Sequence, residues 1–165
     1  MTGRILQVSI SKGGVPKTPV LAGEAGPLGI AGDVQRNLKY HGGPSRALLW
    51  ITGEGLDELK AAGFPVYPGA LGENVTTTGI DRRAVRLGQQ WRMGEVIVEV
   101  TRMRQPCQQL NPYGEGSIQA AVYDPQVKAG DHTSPRWGLA GFYLSVVKAG
   151  TLAPGDPVTL LTDVA

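Results

Sequence analysis

The segment "RMRQPCQQL" (102–110) contains the only cysteine of the chain, Cys107. A thiolate is a nucleophile and a soft metal ligand, and a nearby guanidinium favours it over the thiol. Arg104 lies three positions before the sulfur, and Pro106 fixes the backbone directly before it. Free cysteines are also among the residues most often buried. From the residues alone, Cys107 is therefore either a reactive group or a small core residue.

Two further segments carry polar side chains where plain turn residues would suffice. In "YHGGPSRA" (40–47), His41 precedes two glycines and a proline, so a sharp turn would present an imidazole. In "GALGENV" (69–75), Glu73 and Asn74 place a carboxylate beside an amide. Each segment could equally be a surface turn whose side chain bonds its own backbone.

A thiol and an imidazole could form a nucleophile and base, with Cys107 attacking and His41 or His132 taking the proton. Any cysteine and any histidine would satisfy this pattern. Other sites are excluded more firmly. One cysteine and two histidines cannot supply a four-ligand Cys/His zinc site. The chain also contains neither a Walker phosphate loop nor a dinucleotide-binding glycine motif.

The apolar pattern predicts mostly strands, and these must position the polar segments. In "EVIVEVTR" (95–102), three valines fall on one face, with Glu95, Ile97, Glu99 and Thr101 on the other, which predicts a half-buried strand that leads to the cysteine. "RILQVSIS" is predicted as a strand that buries Leu6, Val8 and Ile10. The unbroken apolar segment "RALLWI" (46–51) predicts a strand buried on both faces.

Helices are predicted to be few and short. "TGEGLDELKAAG" (52–63) has apolar residues at helical spacing, and "SIQAAVY" (117–123) is predicted as a short helix. "FYLSVVKAG" and "DPVTLLT" are predicted as two closing strands joined by the turn "TLAPGD". Because strands outnumber helices, the predicted fold class is mainly β, with a closed or highly curved β-barrel.

The composition predicts a single domain over residues 1–165. Its 24 glycines and 12 prolines are typical of many turns and stay below the level that indicates disorder. A lone cysteine excludes an internal disulfide, and no apolar segment reaches membrane-spanning length. The net charge of +2 is too small to indicate nucleic-acid binding, although six arginines between 82 and 104 could be solvated surface or an anion pocket. We therefore expect a soluble, cytoplasmic protein with no nucleic-acid or membrane partner.

Taken together, the motifs resemble the MOSC domain family, named after the C-terminal domain of molybdenum-cofactor sulfurase. Five segments carry the resemblance in the family's order: "GVPKTPV", "GIAGD" with "YHGGPSRAL", "PGALGENVTTTGID", "LGQQWRMGEVIVEVTRMRQPC", and "GFYLSVVKAG" with "PGDPVTLL". The resemblance implies a mainly β fold containing a barrel like that of the pyruvate-kinase β-domain. It also implies that Cys107 carries sulfur as a persulfide or ligates molybdenum.

The resemblance assigns further residues to the site. Cys107, Pro106 and Arg104 match the family's Arg-x-Pro-Cys motif. The other matches are His41, Gly42, Gly43 and Arg46 on the His-Gly-Gly segment, Gly72, Glu73 and Asn74 on Gly-Glu-Asn, and Lys17 and Asp33 on two earlier segments. Ser45, Leu71, Gln89, Met103 and Gln109 depart from the usual pattern. At Gln109 relatives often have lysine, so a cation beyond the cysteine is absent.

Two roles for Cys107 follow from the resemblance. With the molybdenum cofactor (molybdopterin) bound, Cys107 would be its metal ligand, and Arg104, Arg46 and Lys17 would hold its phosphate. The domain could then reduce N-hydroxylated compounds with electrons from a separate electron-transfer protein. Alternatively, Cys107 would accept persulfide sulfur from a cysteine desulfurase. A degenerate MOSC fold that serves as a non-catalytic binding module is the third possibility.

The remaining site residues have supporting roles in this interpretation. His41, Glu73 and Asn74 would orient groups or move protons near the substrate. The cofactor-binding set would also include Gly42, Gly43 and Asp33. Pyridoxal phosphate binding is a further property that the resemblance implies at the level of the family. We expect His41, Asn74 and Cys107 to line one pocket at a mouth of the barrel, with Glu73 at its edge.

Overall fold

Residues 1–34, 42–115 and 117–163 are described by the computed structural model, and short strands predominate in them. The strands are β1 Thr2–Ile10, β2 Thr18–Val20, β3 Gly23–Gly26, β4 Gly29–Ile30, β5 Leu48–Thr52, β6 Val75–Thr78, β7 Gln90–Met93, β8 Val96–Met103, β9 Phe142–Lys148, β10 Gly150–Leu152 and β11 Pro157–Thr162. The α-helices are α1 Gly53–Ala61, α2 Ser117–Val122 and α3 Pro125–Lys128. Short 3₁₀ helices are formed by Pro44–Arg46, Arg82–Ala84 and Gln108–Tyr113. Within these ranges, none of the helices is long and apolar enough to span a bilayer.

Seven strands close into a β-barrel. Their order is β11-β7-β8-β9-β5-β6-β1, and β1 pairs again with β11, so the sheet has no open edge between its ends. Of these pairs only β5 with β6 is parallel among the described residues. β2 extends the sheet beside β1, and β10, β3 and β4 form a separate small sheet. The prediction of a mainly β fold with a closed barrel and few short helices is confirmed.

Two apolar cores hold the barrel and its outer helices. Inside the barrel, the Trp50 ring lies 5.3 Å from Trp91 and 5.6 Å from Phe142, measured between centroids, and all three rings are buried. The second core contains Leu56 of α1 and Leu110 of the 3₁₀ helix after the cysteine, together with Ile51, Leu59, Leu71, Ile118 and Val122. The barrel therefore supports one side of the cysteine segment, and the outer core supports the other.

Several predicted elements form as expected. β5 is buried on both faces, because Trp50 belongs to the barrel core and Ile51 to the outer core. α1 begins after Thr52, whose side chain accepts a hydrogen bond from the amide of Gly55. In β8, the alternating valines of the predicted strand all point into the barrel core. α2 also falls within the segment predicted as a short helix.

The predicted burial of β1 is wrong at Leu6. The pairing of β1 with β6 shifts register between Ile5 and Gln7, so Leu6 is the extra residue of a β-bulge. Ile5 and Val8 are buried, whereas the Leu6 side chain is 49% exposed. Alternation along a sequence assumes an unbroken period of two, and a bulge breaks that period.

The turn predicted between the last two strands forms only in its second half, at residues 154 and 155, because Thr151 and Leu152 belong to β10. β9 and β11 form as strands, but they are not neighbours, since β9 lies between β8 and β5 while β11 closes the barrel. Their connection contains β10, which pairs with β3 far away in the sequence. A long-range pairing of this kind leaves no local signal.

Candidate functional site

The cysteine segment is fixed by its backbone. After β8, the chain runs through residues 104–107 into the 3₁₀ helix Gln108–Tyr113. The carbonyl of Cys107 accepts hydrogen bonds from the amide of Leu110 and from Nε2 of Gln119, each at 3.1 Å. Leu110 is fully buried in the outer core. The backbone of Cys107 is therefore anchored on two sides, while its thiol is half-buried and caps no backbone amide of the helix.

The thiol borders a cavity of about 520 Å³, which we call the thiol pocket. Its wall contains the cysteine, two arginines, aromatic and apolar side chains, and three glutamines: Cys107, Arg46, Arg102, Tyr123, Tyr143 and Met103, with Pro106 and the glutamines at 105, 108 and 109. The cysteine thus opens onto a space of the size that small-molecule sites have, about 300–1,000 Å³.

A narrower cavity of about 40 Å³, the cation pocket, adjoins the thiol pocket. The two share Arg46, Gln109 and Tyr143 as wall residues. The cation pocket is also lined by Lys17, Gly42, Gly72, Asn74 and Arg104, which were all assigned to the site from the sequence. The structure therefore brings most of the predicted residues together, but the prediction that Asn74 and Cys107 line one pocket is corrected: they line two contiguous pockets, Cys107 the thiol pocket and Asn74 the cation pocket.

Lys17 and Asp33 form a buried ion pair behind the cation pocket. Nζ of Lys17 lies 2.5 Å from Oδ2 of Asp33, and neither side chain is appreciably exposed. The other carboxylate oxygen accepts a hydrogen bond from the amide of Ser11 at 2.9 Å. Asp33 does not line either pocket. It acts on the site through Lys17, whose charge it largely compensates.

The side-chain amide of Asn74 is fully used by its neighbours. Nδ2 donates to the carbonyl of Ser9 at 3.1 Å and to Oδ2 of Asp33 at 2.9 Å. Oδ1 accepts from the amide of Leu49 at 3.1 Å. Asn74 therefore joins β1, β5 and the Lys17–Asp33 pair, and its role is to hold the pocket in shape.

Arg104 lines the cation pocket but is only 3% exposed. Nη1 donates to the carbonyl of Ala140 at 3.1 Å and Nη2 to that of Leu71 at 2.9 Å. Nε is buried and has no hydrogen-bond partner among the described residues. A buried donor without a partner costs free energy, about 1–3 kcal/mol, so this nitrogen is a place where an anionic ligand would be stabilised.

Glu73 lies in a different place from the one predicted. It is fully buried and lines neither pocket, so the prediction that it stands at the pocket edge is corrected. Its carboxylate accepts hydrogen bonds from the amide of Leu71 at 3.2 Å and from Oγ1 of Thr76 at 3.5 Å. The turn at Gly72 folds the carboxylate back against the protein. Burial raises the pKa of Glu73, and its own backbone, nearby amides and Arg104 partly oppose the shift.

This raised pKa predicts a pH dependence of stability. The native state holds the Glu73 proton more tightly than the unfolded chain, in which the carboxyl has an ordinary pKa near 4.5. Its contribution is therefore fully present below pH 4.5 and is lost as the pH rises from there through the raised pKa. We expect Glu73→Gln, which mimics the protonated carboxyl, to flatten the pH profile of the unfolding free energy in that window. Urea titrations at several pH values measure this, and an unchanged profile contradicts it.

Tyr143 is a site residue that sequence reasoning missed. It is 7% exposed, lines both pockets, and its ring lies 5.7 Å below the guanidinium carbon of Arg46. Burial raises the pKa of its hydroxyl, while Arg104, Arg46 and Arg102 oppose that shift and Cys107 adds to it. The sequence offers no signal for this role, because Tyr143 stands in an ordinary apolar strand.

The His-Gly-Gly segment is described only in part. Gly42 lines the cation pocket, and Gly43 precedes the 3₁₀ helix Pro44–Arg46. Their φ angles of 79° and 81° lie in the region that glycine adopts without strain. His41 falls outside the described residues. Its place beside Cys107 stays a prediction.

A model of the MOSC domain matches residues 37–159. The chain belongs to the MOSC domain family. This confirms the resemblance derived from the motifs.

Curated relatives agree with that assignment. Protein YiiM of Escherichia coli is 31% identical over 143 residues, which are 84% of this chain and 58% of YiiM. Uncharacterized protein YflK of Bacillus subtilis is 30% identical and matches 79% of this chain and 55% of YflK. A Gibberella moniliformis protein named "Reductase" is 30% identical over 81% of this chain, which is 22% of its own length. The chain thus spans little more than half of the two bacterial relatives.

Solved structures extend the similarity to the fold. The crystal structure of YiiM from E. coli superposes with a TM-score of 0.70 at 26% identity, covering 100% of this chain and 72% of YiiM. YUAD protein from B. subtilis gives a TM-score of 0.71 at 18% identity over 97% of this chain and 96% of its own, which shows that the two proteins share a fold and no more.

Proposed function

We propose that this MOSC domain binds the molybdenum cofactor and acts as an oxidoreductase, with Cys107 as the metal ligand. The observation that carries the proposal is the contact between the two pockets. A half-buried thiol borders one, and the adjoining one is lined by Lys17, Arg46 and Arg104. A thiolate suits a soft metal centre, and guanidinium groups suit a phosphate.

The residues of the cation pocket fit the phosphate of such a cofactor. Nε of Arg104 is a buried donor without a partner, which a phosphate oxygen would satisfy. Among the described residues no carboxylate lines either pocket, and the Asp33 carboxylate behind the cation pocket is paired with Lys17. Gln109, which departs from the family's usual lysine, still reaches both pockets and offers an amide donor.

Three roles would fall to residues of this chain: metal ligation, phosphate binding and positioning. Cys107 would ligate the metal, and Arg104 and Arg46 would orient the phosphate. Asn74 would keep Lys17 in place through Asp33. When bound, the cofactor supplies two-electron redox chemistry at molybdenum, while the protein binds and orients. The larger thiol pocket would hold the substrate.

The substrate class and the electron donor belong to the same proposal. N-hydroxylated compounds are the proposed substrates, and a separate electron-transfer protein is the proposed donor. A relative named "Reductase" supports an oxidoreductase. His41 is the proposed proton-handling group.

Sulfur transport is the second candidate function. The thiol of Cys107 caps no amide, and the thiol pocket leaves room for an additional sulfur atom. The Cys107 thiolate would attack the persulfide of a cysteine desulfurase, take its outer sulfur, and release the desulfurase cysteine as a thiolate. No redox partner is needed for this exchange.

Metal and sulfur analysis of protein purified without reducing agent separates the two. Molybdenum together with a pterin supports the oxidoreductase, and the loaded protein should then reduce an N-hydroxylated amidine when a chemical reductant is supplied. Cyanide-labile sulfur without metal supports the carrier. A protein that takes up neither cofactor nor sulfur, even when incubated with each, contradicts both and favours a binding module.

A further inference from the structure

Among the described residues, the charged side chains that line the thiol pocket are all basic. Arg46 and Arg102 both line it, and no Asp or Glu does so among the described residues. Both arginines also lie close enough to Tyr143, another wall residue, to oppose the rise in the pKa of its hydroxyl. Gly42 lines the adjoining cation pocket. In the sequence, residues 35–41 directly before it include no Asp or Glu.

Arg102 is the cation that the rest of the site does not use. It is exposed at the end of β8, directly opposite Tyr143 on β9. Within residues 1–34, 42–115 and 117–163 its guanidinium makes no hydrogen bond or ion pair, in contrast to the buried Arg104. An arginine of this kind at the mouth of a pocket keeps its bidentate donors available for a ligand.

The rest of the wall suits a flat molecule. Tyr123, Tyr143, Met103 and Pro106 provide aromatic and apolar contact, and three glutamines add neutral hydrogen-bonding groups. A cavity of about 520 Å³ can take a ring system with a substituent.

We propose that the thiol pocket selects planar substrates that carry an anionic group, and that Arg102 is the residue that recognises this group. The inference rests on the proposed function, because it names the substrate class of the same site. It assigns Arg102 a role in specificity that is separate from cofactor binding, which falls to the cations of the adjoining pocket.

Binding measurements test this with two probes that differ by one carboxylate group on the same ring. N-hydroxybenzamidine is neutral, and its 4-carboxylate carries one negative charge on the same ring. At low ionic strength, calorimetric titration of the purified protein should show the carboxylate bound about tenfold more tightly, as a charge-assisted bidentate contact allows. The preference should shrink as salt is added, because a contact at the pocket mouth is screened.

Variants assign the preference to one residue. Arg102→Gln should bring the two probes to within about twofold of each other, since the bidentate contact is lost. Arg102→Lys should keep part of the preference. Arg92→Gln is the matched control, because Arg92 is a strand arginine on β7 that lines neither pocket, and it should bind both probes as the wild type does. Melting curves confirm that the variants are folded.

The inference is overturned if the wild type does not bind the carboxylate more tightly, including by binding neither probe. It is also overturned if Arg102→Gln and Arg92→Gln behave alike. The binding readout is independent of turnover. If the carboxylate binds more tightly but neither probe is reduced, the proposed oxidoreductase is contradicted and the inference about Arg102 stands. If both probes are reduced but bind with equal affinity, the inference is contradicted and the proposed oxidoreductase stands.

Discussion

Cys107→Ser is expected to abolish bound molybdenum or transferable sulfur, and all activity that depends on either, while leaving the fold intact. A hydroxyl neither carries a sulfane atom nor replaces a soft thiolate on molybdenum. The structural cost is small, because the thiol is half-buried and caps no amide. We expect the free energy of unfolding to change by less than about 1 kcal/mol. Metal analysis, cyanolysis, activity assays and thermal melting measure the two sides separately.

The single cysteine offers a matched control for this experiment. N-ethylmaleimide can modify only Cys107 among the thiols of the chain, so treated wild type should lose the same function as the serine variant. The serine variant itself should be unaffected by the reagent. A Cys107→Ser protein that still loads metal or sulfur and turns over normally would contradict both candidate functions at once.

The strands that position the cysteine could be predicted because their signals are local. The valines of β8 alternate without interruption, and β5 is apolar on both faces, so period and burial agree in each. The bulge at Leu6 could not be predicted, because it depends on how β1 pairs with β6. The same holds for β10, whose partner β3 lies more than a hundred residues earlier.

The candidate site divides in the same way. Motif residues such as Lys17, Asn74 and Arg104 could be assigned from the sequence, because each motif is short and contiguous. Tyr143 and Arg102 could not, because they become neighbours only through the pairing of β9 with β8. That pairing also contains a register shift between Val100 and Arg102. The face of the sheet on which Arg102 and Tyr143 lie therefore does not follow from simple alternation along the sequence.

A polar residue in a motif also does not reveal whether it faces the ligand. Glu73 and Asn74 are adjacent, yet one is buried away from both pockets and the other lines the cation pocket. Whether each side chain lines the pocket depends on the hydrogen-bond partners that folding places around it. These partners come from β1, β5 and the turn before β6. The sequence interpretation treated both as groups near the substrate.

Asn74→Leu is expected to have the largest effect on stability. Leucine fills nearly the same volume but leaves the amide of Leu49 and the carbonyl of Ser9 without their partner, and Asp33 loses one of its donors. Each buried group left unpaired costs about 1–3 kcal/mol, so we expect a loss of about 3–5 kcal/mol in the free energy of unfolding. That is a large fraction of the stability of an ordinary domain, about 5–15 kcal/mol. Urea denaturation measures the loss.

A matched control is Gln90→Leu, which also replaces a side-chain amide by leucine, here at the first residue of β7. Gln90 is only partly buried and its side-chain amide donates one hydrogen bond, to Glu99 at 3.1 Å, so its loss should cost less than about 1 kcal/mol. Asn74→Asp provides a second test. It keeps the acceptor for Leu49 but places a carboxylate against that of Asp33, so its destabilisation should be greatest near neutral pH and should lessen as the pH falls toward about 4, where carboxylates take up protons. If Asn74→Leu costs no more than Gln90→Leu, or Asn74→Asp shows no such pH dependence, Asn74 does not hold the Lys17–Asp33 pair and the cation pocket in place.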